Sequence, residues 1–126
     1  MLKDSKAFSG FSVDDVEAAK RFYGETLGLE VEEQGPGIAL HLAGGNDVLA
    51  YGKEGHEPAS FTILNFPVDE IEAAVAALAE RGVEFERYEG TPLETDEHGI
   101  FRGGGPLIAW FKDPAGNVLS VIEDTQ

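Results

Sequence analysis

No cysteine occurs in the chain. Disulfides, thiolate zinc sites and cysteine nucleophiles are thereby excluded, and a cytoplasmic setting is the default expectation. Long apolar runs are missing as well: no stretch approaches the roughly 18–20 residues that a bilayer-spanning helix needs. The opening Met1-Leu2-Lys3-Asp4-Ser5-Lys6 lacks the apolar core of a secretory signal. Basic residues are scarce, 9 against 24 acidic ones, for a net charge of −15. Such a field repels nucleic acid and anionic membrane, so neither is expected as a partner, and it attracts cationic ligands. The acids are spread along the chain instead of forming a tail, which is also how a plain solubilising surface looks. Gly103-Gly104-Gly105 has neither the helix nor the Lys that a phosphate-binding loop requires. A nucleophile elbow is absent too.

What the chain does contain is a copy of itself. Residues 11–19 read FSVDDVEAA and residues 66–74 read FPVDEIEAA, identical at six of nine positions. Gly28-Leu29-Glu30-Val31-Glu32 recurs as Gly82-Val83-Glu84-Phe85-Glu86, and Gly45 to Ala50 recurs, one residue shorter, as Gly116 to Ser120. The 126 residues suit one domain of ordinary size. The repeat divides it into two modules, about 5–53 and about 60–124, each reading strand, helix, strand, strand, strand.

Alternation from Ala7 to Val13 predicts the first strand. Asp14 or Asp15 caps a helix, with Glu17 placed three residues beyond Asp14 as in a capping box. Val16, Ala19, Phe22, Tyr23 and Leu27 share one helical face, and Gly28 suits a left-handed C-terminal cap. Strands are expected at 29–33, 38–43 and 48–52, separated by turns at Gln34-Gly35-Pro36-Gly37 and Gly44-Gly45-Asn46. After the polar connector Lys53 to Pro58, where His56 is expected to face solvent, the pattern restarts. Phe61 to Val68 forms a strand, and Asp69 or Glu70 caps a helix with Ile71, Ala74, Val75 and Leu78 inward. Strands follow at 83–88, 107–111 and 118–122. The copies differ at one place: residues 89–106, EGTPLETDEHGIFRGGGP, replace a short turn. Loops of this length in a compact domain often serve as lids or binding loops.

The closing segment Trp110-Phe111-Lys112-Asp113-Pro114-Ala115-Gly116-Asn117-Val118-Leu119-Ser120-Val121-Ile122-Glu123 resembles the end motif of the vicinal oxygen chelate superfamily, the group of glyoxalase I, bleomycin-resistance proteins and extradiol dioxygenases. FSVDDVEAAKRFYGETLGLEV resembles the family's opening, so the likeness covers nearly the whole chain. The resemblance implies an α+β fold of two tandem βαβββ modules, forming a curled mixed sheet, a cup, with helices outside. It also implies a homodimer.

In metal-dependent relatives the resemblance places ligands on the first and fourth strands of each module, where His or Glu holds a divalent ion. Carried over, those positions are Phe8, Ala50, Ile63 and Ser120, none of them a credible donor. Shifting the alignment by one residue supplies no histidine or carboxylate either. No metal or other cofactor is therefore expected. Strand alternation then lines the cup with Phe8, Gly10, Ser12, Asn65 and Ser120, joined by Trp110, His41 and Tyr51. His98 and Arg102 are added from the long loop.

These residues make an apolar, aromatic cavity with a few hydrogen-bonding groups, which suits a small molecule. The leading expectation is a protein of the bleomycin-resistance type that sequesters an organic ligand, cationic or aromatic, without metal. Trp110 or Phe8 would stack on it. The alternative is a glyoxalase-, lyase- or dioxygenase-like enzyme with His98 and His41 as its acid–base groups and Asp96 and Glu97 beside them. A catalytically silent module that binds a protein partner is the third reading.

Overall fold

The computed structural model describes residues 1–124. The chain divides into two compact units, Met1–Glu57 and Pro58–Gln126. The first contains β1 (Ser9–Val13), α1 (Val16–Arg21), a π-helical turn (Phe22–Thr26), β2 (Glu30–Gln34), β3 (Gly37–His41) and β4 (Asp47–Gly52). The second contains β5 (Thr62–Val68), α2 (Ile71–Glu80), β6 (Ile100–Phe101), β7 (Ile108–Lys112) and β8 (Val118–Glu123). Each unit is one four-stranded mixed sheet, in order β1-β4-β3-β2 and β5-β8-β7-β6. The class is α+β.

In the first unit the period of two decides everything. Phe11, Val13, Ile38, Leu40, Val48 and Ala50 are buried together with Ala19 and Tyr23 of the helical segment. Burying each large apolar side chain there stabilises the fold by roughly 1.5–3 kcal/mol. The opposite face is more open, with Gly10 exposed and Ser12, His41, Leu49 and Tyr51 half-buried, although Gly37 and Ala39 on it are buried. Ladder pairs Gly10–Leu49, Ser12–Tyr51, Gly37–Tyr51, Ala39–Leu49 and His41–Asp47 define it. Gly37 must be glycine, because a Cβ there would lie 2.0 Å from the Ala50 carbonyl oxygen.

The N-cap of α1 is Asp15, whose carboxylate accepts from the Ala18 N–H at 3.1 Å. Glu17 thus stands one position short of the place a capping box needs. The helix also does not run on uniformly. From Phe22 it widens, with Leu27 N–H donating to the Phe22 carbonyl at 2.9 Å, before Gly28 reverses the chain at φ 76°.

The second unit repeats the scheme with one change. Residues 83–88 do not form the expected strand: only an isolated bridge joins Phe85 to Phe111. The outer place in the sheet goes to Ile100 and Phe101, inside the long loop, which pair with Ala109 and Ile108. The reason is that carbonyls an edge strand would present are already taken. Thr95 Oγ1 donates to the Glu86 and Arg87 carbonyls, and Thr95 N–H donates to that of Arg87 at 2.9 Å. The cap of α2 differs as well. Glu70 makes no side-chain cap bond, and the Glu123 carboxylate accepts from the Ile71 N–H at 3.0 Å instead. The expected turn before β8 is built by buried Asp113, whose Oδ1 accepts from the N–H groups of Ala115 and Asn117. No helix among the described residues is long and apolar enough to cross a membrane.

Candidate functional site

Edge and centre strands of the first unit form a hollow of about 580 Å³ on the open face. Phe8, Ala39 and Leu49 give it apolar walls, and Gln34 and Asp47 give it polar ones. Phe8 precedes β1 and is 66% exposed, a large apolar surface left to water. Ala39 and Leu49 face each other across the β3–β4 ladder. The shape and mixed lining suit a small organic molecule.

Further along the same face stand Ser12 and Tyr51, paired across β1 and β4. Ser12 Oγ lies 2.7 Å from His56 Nδ1, so His56 is half-buried against the sheet instead of facing solvent. His41 closes the other end. Its Nδ1 is 2.7 Å from Asp47 Oδ1 and its Nε2 is 3.0 Å from Glu32 Oε1. These bonds to Asp47 and then to Glu32 favour the imidazolium, and they hold the His41 pKa above the ordinary histidine value.

In the second unit Asn65, Ser120 and Trp110 occupy one row across β5, β8 and β7. Ser120 is fully buried, and its hydroxyl donates to Asn65 Oδ1 at 2.6 Å. Trp110 is nearly buried too, with the rings of Tyr88 and Phe101 at 5.4 and 5.8 Å. Tyr88 holds φ at 49°, a left-handed conformation that costs a bulky residue free energy. The pKa of its hydroxyl is raised by burial first and by Glu86 second.

The long loop is ordered, and Asp96 organises it. One carboxylate oxygen accepts from the His98 and Ile100 N–H groups, both at 2.9 Å, and the other accepts from Arg102 Nε. Arg102 reaches on to Glu72 of α2 at 3.1 Å. Burial raises the Asp96 pKa, but the Arg102 bond and the two backbone N–H groups outweigh it, and the net shift is downward. His98 is left largely exposed, 3.7 Å from Glu97. Asp96 and Arg102 are thus occupied in holding the loop. His41 belongs to the first unit and His98 to the second.

Sequence reasoning misplaced one position. Ala50 is fully buried and pairs with Phe11 on the helix-covered face. The open-face mate of Ser120 is Leu49: Gly10 pairs with Leu49 as Asn65 pairs with Ser120. The ladders match residues 45–50 to residues 116–121 without a gap, so the one-residue gap in the sequence match is what misplaced Ala50, and one residue inverts a strand's faces. Ile63 sits where the β5–β8 register shifts, between Thr62 and Leu64. Asp47 was missed for the same reason, whereas Gln34 was missed because β2 runs one residue further than the predicted turn allows.

The donor set can be tested against the metal that this strand geometry holds elsewhere. The open-face positions hold Phe8, Leu49, Ile63 and Ser120, which offer one hydroxyl and no imidazole or carboxylate. Divalent ions in such sites require nitrogen or carboxylate donors, so these residues do not fit one. Among the described residues no group of three His, Cys, Asp or Glu side chains is arranged to hold a metal. Even the trio at His41 fails, because its two carboxylates sit at opposite ring nitrogens and share no common ion.

Residues 9–121 match the family model of the glyoxalase/bleomycin resistance protein/dioxygenase superfamily. The chain is similar to TnmS3, an antibiotic binding protein from Streptomyces sp. CB03234, at 27% identity and TM-score 0.65, covering 94% of this chain and 96% of that one. It is similar to a glyoxalase family protein from Enterococcus faecalis at 26% identity and TM-score 0.66, covering 98% and 100%. A glyoxalase/bleomycin resistance protein from Streptomyces sp. CB03234 shares 27% identity at TM-score 0.57, covering 92% and 99%. No curated protein matches the sequence. With 9–121 matched and both sheets built as the repeat implies, the chain belongs to the glyoxalase/bleomycin resistance protein/dioxygenase superfamily.

Proposed function

We propose that this protein binds a small organic molecule against the open face of its first sheet and does so without a metal ion. The observation that carries the reading is the hollow beside Phe8, Ala39 and Leu49, where a ligand would find apolar walls, a glutamine amide and a carboxylate. The donor-poor strand positions support the metal-free part. The likeness to an antibiotic binding protein supports a binding role. Sequestration needs complementary walls and no acid, base or Lewis acid. The enzyme reading through His98 and His41 has no such support: both nitrogens of His41 are engaged by carboxylates, and His98 stands largely in solvent beside Glu97.

The test is to fill the hollow. Leu49→Trp places an indole where the ligand would sit, and the affinity for an organic ligand found by screening should fall at least about tenfold. Unchanged affinity would move the site elsewhere. Tight, stoichiometric binding of a divalent ion to the native chain would overturn the metal-free part. We further read the protein as a cytoplasmic homodimer, because each sheet leaves strand edges that a second copy would cover. Sedimentation equilibrium at the monomer mass would contradict the dimer.

A further inference from the structure

We infer that the hollow takes an organic cation, with its positive group at Asp47, and that His41 competes for that carboxylate from within the protein. The inference rests on the proposed small-molecule site and adds its charge and its regulation.

Asp47 is the carboxylate in the lining of the hollow, and its side chain is about half exposed, at 51%. It opens β4, directly across the ladder from His41. Apolar Phe8, Leu49 and Ala39 lie in the same lining. An aromatic side chain and a carboxylate in one lining make a favourable setting for an ammonium group, which gains from both the charge and the ring quadrupole. Lys6 is the cationic side chain in the lining, and an ammonium ligand would work against its field. Glu30 and Glu32 of β2, on the far side of His41, strengthen the negative field.

Asp47 is not idle in the free protein. The His41 imidazole holds it at 2.7 Å while Glu32 holds the other ring nitrogen at 3.0 Å. Protonated, His41 is a fixed cation that already satisfies Asp47. Deprotonated, it remains a hydrogen-bond partner but no longer neutralises the carboxylate. Cation binding should therefore strengthen as pH rises through the titration of His41, which the two carboxylates displace upward. The other charged and titratable groups around this end of the sheet are Glu30 and Glu32 on β2, Asp47 on β4, and Lys6 before β1. Tyr51 and the Ser12–His56 pair stand further along the face.

The experiment uses two probes of one shape, benzyltrimethylammonium and its neutral carbon isostere neopentylbenzene. Amide resonances of Ala39 and Leu49 are followed at about pH 6 and about pH 9. At the higher pH the cation should bind about three- to tenfold more tightly than the isostere, the range expected of one exposed ion pair plus one cation–π contact. Its affinity should drop about threefold at the lower pH, while the isostere stays level. Asp47→Asn should abolish the cation's advantage, and His41→Gln should abolish its pH dependence. Equal binding of the two probes at both pH values would overturn the cation inference and leave the small-molecule site standing. Absence of a shift with either probe would overturn both.

Discussion

His41 shows how much a single side chain can depend on its neighbours. Asp47 and Glu32, from the strands on either side, meet its two ring nitrogens. Its folded pKa is raised above the unfolded value, so the contribution to stability is fully present below the ordinary histidine pKa. That contribution is lost as pH rises through the folded value. Urea midpoints measured against pH should therefore fall on the alkaline side of the histidine range, and His41→Gln should flatten that fall. A midpoint that rises with pH there, and does so only when His41 is present, would contradict the assignment. Gly37 makes a sharper case, because it has no room to change. A methyl group would meet the Ala50 carbonyl oxygen at 2.0 Å and the Tyr51 Cα at 2.6 Å, backbone atoms with no flexible side chain to yield. Gly37→Ala should cost about 1–3 kcal/mol or more by equilibrium unfolding. A change smaller than about 0.5 kcal/mol would mean that the β3–β4 register differs from the one described.

Elements explain where the sequence could be read and where it could not. β1 and β4 alternate cleanly and β3 is buried from Gly37 to Leu40, but the helix-covered face of all three follows the pattern of Phe11, Val13, Ile38, Leu40 and Ala50. The difficulty lay in matching two alternating strands to each other. Gly45-Asn46-Asp47 and Gly116-Asn117 look like the same turn, yet the residue that faces with Ser120 is Leu49 and not Ala50. Only the hydrogen-bonded register carries that information. Residues 83–88 read as a strand from local composition, but Thr95 occupies the Glu86 and Arg87 carbonyls from nine and eight residues away. Nothing in a local pattern announces such a contact. The same holds for Asp96, which reads as an acid–base residue and serves as the clamp of its loop. Asp96→Ala should cost about 1–3 kcal/mol and speed amide exchange at His98 and Ile100. Glu123→Ala, by uncapping α2, should cost about 0.5–2 kcal/mol, and the first turn of that helix should exchange faster. Unaltered exchange at Ile71 would remove Glu123 from that role.

At the scale of the whole molecule, the repeat makes the two-module architecture legible in the sequence, and the opening and closing segments make the family so. Two copies of one supersecondary unit, each with a helix on one face of its sheet, need little beyond the FSVDDVEAA and FPVDEIEAA segments to be recognised. The site was less legible, because it depends on which face a strand shows. Phe8 was found from sequence, while Gln34, Ala39, Asp47 and Leu49 entered only with the ladder. The fold hosts many chemistries, so the donors in it decide between them. Here the strand positions that could hold a metal offer one buried hydroxyl, while the hollow offers apolar walls and a carboxylate. The measurement that tests this most directly is a titration of the isotopically labelled chain with drug-sized aromatic compounds in the presence of a metal chelator, read at the amides of Phe8, Ala39 and Leu49. Saturable shifts are expected at those three residues, undiminished by the chelator. Shifts that vanish with the chelator and return only when a divalent ion is added would contradict metal-free binding.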